Sequence, residues 1–236
     1  MTLVKYGKPA SDILDIKAEY FVNNKKHLHR QDAVARLYRT QPKRESCKAC
    51  GKALRGKLFE SHTLQYVICD ACSHLNGVYE DTVAFCEAIY STDGGKGYSE
   101  HYSAEDLAAY VTRKTKIYDP KAKFLTESLT TDPASLTVLD VGAGSGYFVA
   151  ALSSHGFQKV QGIEPSQVQV AFGRRMLSGI GFDPGMLKQA SFDAIRSAVK
   201  AENADLVSMI GVLEHVSSPR QLLADAARQG ERSDGA

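Results

Sequence analysis

The spacing of hydrophobic and polar positions changes along this chain, and the changes divide it. Near the start, Ile13, Ile16, Tyr20 and Phe21 fall near one helical face behind a capping Ser11, and Val34, Leu37 and Tyr38 form a second apolar set after Asp32. One or two helices are predicted over residues 10–40, with Gln41-Pro42-Lys43-Arg44 breaking the pattern. The period then shortens to two. Residues 58–60 and 64–68, with Leu64, Tyr66 and Ile68 alternating, predict a β-hairpin.

Helical spacing returns over residues 79–130. Residues 79–90 read as an amphipathic helix, Ser103-Ala104-Glu105-Asp106 as a capping box for a helix through Arg113, and Asp119-Pro120 as the start of another. Phe124, Leu125 and Leu129 of that last helix are expected to pack on a sheet. The intervening loop, residues 91–97, is glycine-rich and leads to Tyr98 and Tyr102, which are either ordinary loop tyrosines or a lid that closes over a ligand.

From Leu136 the chain alternates strand and helix. Strands are predicted at 136–140, 159–163, 186–189 and 205–210. Helices run from Tyr147 to near His155-Gly156, from a capping Ser166 with Val168, Ala171, Phe172 and Met176 on one face, and over 220–229 after Ser218-Pro219. This is an α/β pattern: a doubly wound, Rossmann-like sheet of about four strands. The chain is divided into a helical segment (1–45), a small cysteine-bearing ribbon (46–78), a helical connector (79–132) and the partial α/β domain (133–236).

The first α/β turn decides the ligand. A dinucleotide loop reads G-x-G-x-x-G, with backbone amides and a helix N-terminus facing a pyrophosphate. Here Gly142, Gly144 and Gly146 read G-x-G-x-G, Tyr147 stands where the last glycine is wanted, and Asp140 would repel a diphosphate. A carboxylate there suits a ligand with an ammonium group and no phosphate. Glu164, at the end of the second strand, is placed to accept hydrogen bonds from ribose hydroxyls.

Over roughly residues 136–229 the chain resembles the class I S-adenosylmethionine-dependent methyltransferases, whose first motif is this acid followed by three glycines. The resemblance implies S-adenosylmethionine as cofactor, held by Asp140, Gly142, Ala143, Gly144, Gly146, Glu164 and Gly211. It places Phe192 and Asp193 beside the adenine. The Leu213-Glu214-His215-Val216 run resembles a further motif of the family; His215 there, or less readily Glu214, either takes a proton from the acceptor or plays a structural part, as this position does in many members. The family's sheet has seven strands, so the chain reads as C-terminally shortened, with reduced activity and an exposed fourth strand open to self-association.

Two C-x-x-C pairs, Cys47/Cys50 and Cys69/Cys72, are separated by 18 residues. Two such turns supply four thiolates for a tetrahedral, structural zinc, and Gly51 suits the first turn. Disulfides are disfavoured in a chain without an export signal, and a redox pair would stand singly at a helix N-terminus. His62 and His74 are alternative ligands that a complete cysteine set does not need, and Cys86 reads as a small buried residue. With this module in front, the chain looks like bacterial methyltransferases of nucleotide-linked sugars or surface glycans and, less closely, like zinc-ribbon ribosomal-RNA methyltransferases.

Composition adds little. The chain is 43% hydrophobic and 24% charged, no run of 18 apolar residues exists, and the first residues lack a signal-peptide apolar region, so a cytoplasmic protein without a membrane partner is expected. The net charge is +2, yet residues 1–50 carry 11 Lys and Arg against 5 Asp and Glu. That excess either forms a solvated helix surface or attracts an anion: a small nucleotide-linked sugar first, RNA second. The competing class is a zinc-ribbon nucleic-acid-binding protein without catalysis.

Overall fold

A computed structural model describes residues 24–90, 106–201 and 203–227, with Ser11 and Leu14. The expectations for Ile13, Ile16, Tyr20, Phe21, Tyr98, Tyr102, Ser103 and the end of the last helix lie outside these residues.

The N-terminal half begins with helix α1 (Asn24–Tyr38), which runs straight through Asp32. Its buried stripe is centred on Ala35 and Tyr38, so Leu37 turns outward. Tyr38 packs with Phe85 and Cys86 of helix α2 (Val83–Tyr90), and its hydroxyl donates to the Tyr79 carbonyl at 2.6 Å. Between them lies an antiparallel sheet of β1 (Gly56–Ser61), β2 (Leu64–Cys69) and β3 (Leu75–Gly77). The β1–β2 turn is His62-Thr63, both at positive φ, the two-residue geometry that matches strand twist. β3 was not expected from sequence, because three residues with one large apolar side chain carry no period.

Helix α3 (Leu107–Arg113) is capped by Asp106, whose carboxylate accepts from the Ala109 amide at 2.8 Å. The last residue of the expected capping box therefore does the capping. One π-helical turn, Lys114–Tyr118, links α3 to α4 (Asp119–Ser128). Ala122, Leu125 and Leu129 face the core, whereas Phe124 lies on the opposite side and is exposed, contrary to the sequence expectation.

The α/β half follows as β4 (Thr137–Val141), α5 (Tyr147–Ser154), β5 (Lys159–Glu164), α6 (Gln167–Gly179), β6 (Leu187–Gln189), α7 (Phe192–Ala201), β7 (Leu206–Met209) and α8 (Pro219–Ala227). The four strands are parallel in the order β6-β5-β4-β7. The chain steps outward from β4 through β5 to β6, then returns to lay β7 on the other side of β4. That reversal opens a crevice at the carboxyl end of β4. Helices cover both faces, so Val138, Leu139 and Val141 are all buried and β4 does not alternate. On α6, Phe172 and Met176 are buried as expected but Ala171 is exposed, since the inner stripe runs through Gln169, Phe172 and Gly173.

An aromatic stack docks the connector. Tyr147 lies between Tyr110 (ring centroids 4.3 Å apart) and Tyr118 (5.3 Å), and the Tyr110 hydroxyl donates to the Ser145 carbonyl at 3.0 Å. The residue that replaces a dinucleotide loop's last glycine thus anchors another segment of the chain. Among the described residues, no helix is long and apolar enough to cross a membrane.

Gly162 of β5 lies directly beneath the glycine loop: a Cβ there would come 2.7 Å from Val149 and 2.8 Å from the Ala143 methyl. Gly162→Val should overpack this contact and cost about 1–3 kcal/mol, read as a lower urea midpoint at unchanged m-value.

Candidate active site

The site is built where β4 and β5 end. Gly142 and Ala143 both donate their amides to the Ile163 carbonyl, at 2.9 and 3.0 Å, which folds the loop back over β5. Gly142 sits at φ +68°, and a Cβ there would meet the Val212 side chain, so this position needs glycine twice over. Gly146 caps α5 at φ +75° and stands behind the cavity wall, where it serves the turn.

Two carboxylates result. Asp140 is 3% exposed and accepts a 2.6 Å hydrogen bond from the Ser208 hydroxyl of β7. Burial pushes its carboxyl up to about 7, against the Ser208 bond, with Glu164 adding repulsion. Glu164 is 7% exposed, and its two oxygens accept from the Ser166 and Gly144 amides, both at 2.9 Å. Burial raises its carboxyl as well, and those two amides oppose the rise. Each oxygen keeps acceptor capacity for a further donor.

Both acids face one cavity of about 480 Å³, within the range of small-molecule sites. Gly142, Ala143, Gly144, Gly211, Glu214 and His215 line it too. Gly211 and Glu214–His215 arrive from the loop after β7, across the switch point. Phe192 and Asp193 open α7, but their side chains lie outside the described residues; Ile195, a turn further on, lines the cavity.

His215 is fixed from outside its own domain. Its Nδ1 lies 2.6 Å from the Tyr90 hydroxyl at the end of α2, and its carbonyl accepts from the Cys86 thiol at 3.2 Å. Its Nε2 is 3.9 Å from a Glu214 carboxylate oxygen. Burial lowers the imidazole's pKa, with Lys48 adding to the fall and Glu214 and Asp81 opposing it. The site thus favours the neutral imidazole, the form that can accept a proton.

Sequence reasoning missed Tyr90, Tyr118, Gln169, Ile195 and Ser208. Ser208 gave no signal of its own, because its partner Asp140 is set by the pairing of β7 with β4. Tyr90 and Tyr118 carried no local signal, since their role arises only from docking.

Away from the cavity, Cys47, Cys50, Cys69 and Cys72 place their sulfurs within 4.8 Å of one another. Cys47–Cys72 is 3.6 Å and Cys50–Cys69 is 3.8 Å. A tetrahedral zinc with Zn–S of about 2.3 Å has edges of about 3.8 Å, so this set could hold zinc. Burial opposes ionisation of Cys47, but bonds to its sulfur from the Cys50 amide and Asn76 side chain outweigh it and bring the thiol down to about 6. His62 and His74 are not part of the cluster.

Residues 110–231, just over half of the chain, match the family model described as a methyltransferase domain. A protein of Mycobacterium tuberculosis (strain ATCC 25618 / H37Rv), described as an uncharacterized methyltransferase, is 34% identical over 96 residues. One of Mycobacterium bovis (strain BCG / Pasteur 1173P2) with the same description matches equally; in both, the match covers 41% of this chain and 35% of the relative. Among solved structures, the crystal structure of EvdMO1 aligns at TM-score 0.41 and 23% identity, covering 48% of this chain and 27% of that one. The chain thus spans about a third of the curated relatives' length. The family match covers the glycine loop, both acids and the His215 loop, and this chain belongs to the methyltransferase domain family.

Proposed function

We propose that this protein is an S-adenosylmethionine-dependent methyltransferase whose acceptor is a hydroxyl of a sugar, a glycan precursor or a related small molecule. One observation carries the reading: two buried carboxylates on adjacent parallel strands share a cavity with a neutral histidine on its far wall. The donor set fits the cofactor. Asp140 suits the ammonium of the methionyl end, Glu164 has lone pairs for the ribose hydroxyls, and Ile195 and the glycine loop give apolar and backbone surface for the nucleoside. S-adenosylmethionine bound there would supply an electrophilic methyl carbon.

The chain's own part is positioning and proton transfer. Keeping Asp140 ionised costs on the order of 4 kcal/mol, a cost that a bound cation offsets. In the tautomer whose Nδ1–H donates to the Tyr90 oxygen, neutral His215 has its Nε2 lone pair open to accept the proton of an acceptor hydroxyl. Positioning supplies most of the acceleration.

A small acceptor is favoured over RNA by the fate of the basic excess. Arg44 is buried against Glu80 and Asp81, and Lys48 pairs with Asp81 at 2.7 Å, so part of that charge is turned inward. The ribbon, on the same reading, holds a closed zinc site, is structural, and belongs to a cytoplasmic enzyme.

Three measurements bear on this. Because ligand-free Asp140 titrates near 7 and the cation favours the carboxylate, S-adenosylmethionine should bind more tightly as pH rises from 6 to 8 (about), with proton release. In the free protein the sign is opposite: the raised pKa gives stability that is lost as pH rises through about 7. Calorimetry in buffers of differing ionisation enthalpy reads the proton, and Asp140→Asn should flatten the profile. Second, tritium from methyl-labelled cofactor should enter nucleotide-linked sugars; His215→Asn should slow transfer by about 10²–10⁴ at unchanged cofactor affinity. Label entering RNA and no sugar would refute the acceptor class. Third, metal analysis should find one zinc per chain, and Cys47→Ser should release it; a metal-free, fully folded protein would rule the zinc out.

A further inference from the structure

The four-cysteine knuckle touches the active-site loop. Lys48, inside the first C-x-x-C turn, extends its ammonium to the Glu214 carbonyl at 3.0 Å and to Asp81 at 2.7 Å. Two residues on, the Cys50 carbonyl accepts from the Arg220 guanidinium of α8 at 2.9 Å. These two bonds join positions 166 and 170 residues apart and bracket the loop that carries His215. The neighbouring His215 carbonyl is held by Cys86, so two successive carbonyls of the loop take their donors from the N-terminal half.

The donor end is held just as firmly. The Lys48 amide donates to the Asn76 side chain at 2.9 Å, and Asn76 in turn donates to the Cys47 sulfur at 3.4 Å and to the His74 carbonyl at 3.0 Å. Asn76 is 2% exposed, so this path from sulfur to Lys48 backbone lies in the dry interior of the ribbon. Gly51 sits at φ +71°, and a Cβ there would collide with the Arg220 guanidinium. The knuckle's turn is thus shaped to let α8 approach. By contrast, the hydrogen bonds that fix Asp140 and Glu164 come from Ser208, Gly144 and Ser166, all within the α/β half.

We propose that the knuckle is a positioning device for methyl transfer: through Lys48 and Arg220 it sets the path of residues 214–220, so that metal occupancy governs the His215 loop and leaves the cofactor half of the site intact. A closed zinc site fixes the Cys47–Cys50 turn, the turn fixes the Lys48 stem and the Cys50 carbonyl, and these fix the loop. Lys48 and Arg220 are positioning residues, since they act through the loop and not on the acceptor. The inference rests on the zinc reading above, and its tests separate the two.

The measurement is hydrogen exchange of the full chain, with S-adenosylhomocysteine affinity by calorimetry and zinc content on the same samples. On metal removal, amides of residues 212–220 should exchange roughly tenfold faster, the order expected for losing a hydrogen bond to a charged group. Cofactor-product affinity should stay within about threefold, under 1 kcal/mol. Lys48→Met, which keeps the stem and leaves Asp81 its Arg44 partner, should reproduce the faster exchange with zinc still bound. Lys48→Arg, which restores a cationic donor, should reverse it, and the ribbon's own amides should exchange at the wild-type rate in Lys48→Met, whereas a role confined to ribbon stability would speed them in parallel. Wild-type exchange in zinc-loaded Lys48→Met would overturn the proposal, as would parallel loss of cofactor-product binding on metal removal. A chain that carries no zinc would refute the zinc reading and the metal control with it, while Lys48→Met on that chain would still decide whether Lys48 positions the loop.

Discussion

Two carboxylates at the dry end of a parallel sheet are the constraint around which this molecule is arranged. Asp140 and Glu164 are nearly removed from water and repel each other, and burial alone would strip their charge. They persist because the sheet order surrounds β4 with donors. Ser208 comes from β7 on one side, and on the other β5 turns back so that the amides of Gly144 and Ser166 meet Glu164. The register Val141↔Ile163 lets the glycine loop hang from the Ile163 carbonyl. A cationic, hydroxyl-bearing ligand completes a set of acceptors that the protein fills only in part.

The N-terminal half meets this sheet along two seams of different chemistry. One is apolar: Tyr147 sits between Tyr110 and Tyr118, which holds the connector against α5. The other is polar, and runs from buried Arg44 through Asp81 and Lys48 to the Glu214 carbonyl. Apolar seams supply most of the free energy of docking, whereas a buried ion pair adds little net stability. Its strict geometry suits it to fix a position, and here the position fixed is that of the loop bearing His215.

Much of the α/β half was legible in advance, since parallel strands and their helices write strong local patterns. The Asp140-to-Gly146 turn, Glu164 and the four cysteines were readable because each rests on residues close in sequence, or on a spacing that chemistry restricts. Three features were not. Helical periodicity misjudged Leu37, Phe124 and Ala171, because a stripe's centre is set by what the helix packs on. Tyr90 and Tyr118 gave no sign, since nothing local separates a tyrosine at a helix end from one that enters a cavity. Lys48, counted only within the basic excess of residues 1–50, gave no sign of its place, a side chain 9% exposed against Asp81.

The sequence by itself determined the type of fold and the chemistry at each strand end, because strand–turn–helix units and paired C-x-x-C turns are local objects with restricted geometry. Tertiary structure alone decided which distant groups share the site. Tyr90 beside His215, Ser208 beside Asp140 and Lys48 on Glu214 are separated by 125, 68 and 166 residues. Only the order in which strands pair and the docking of the two halves bring such groups together, and neither is written in any single stretch of chain.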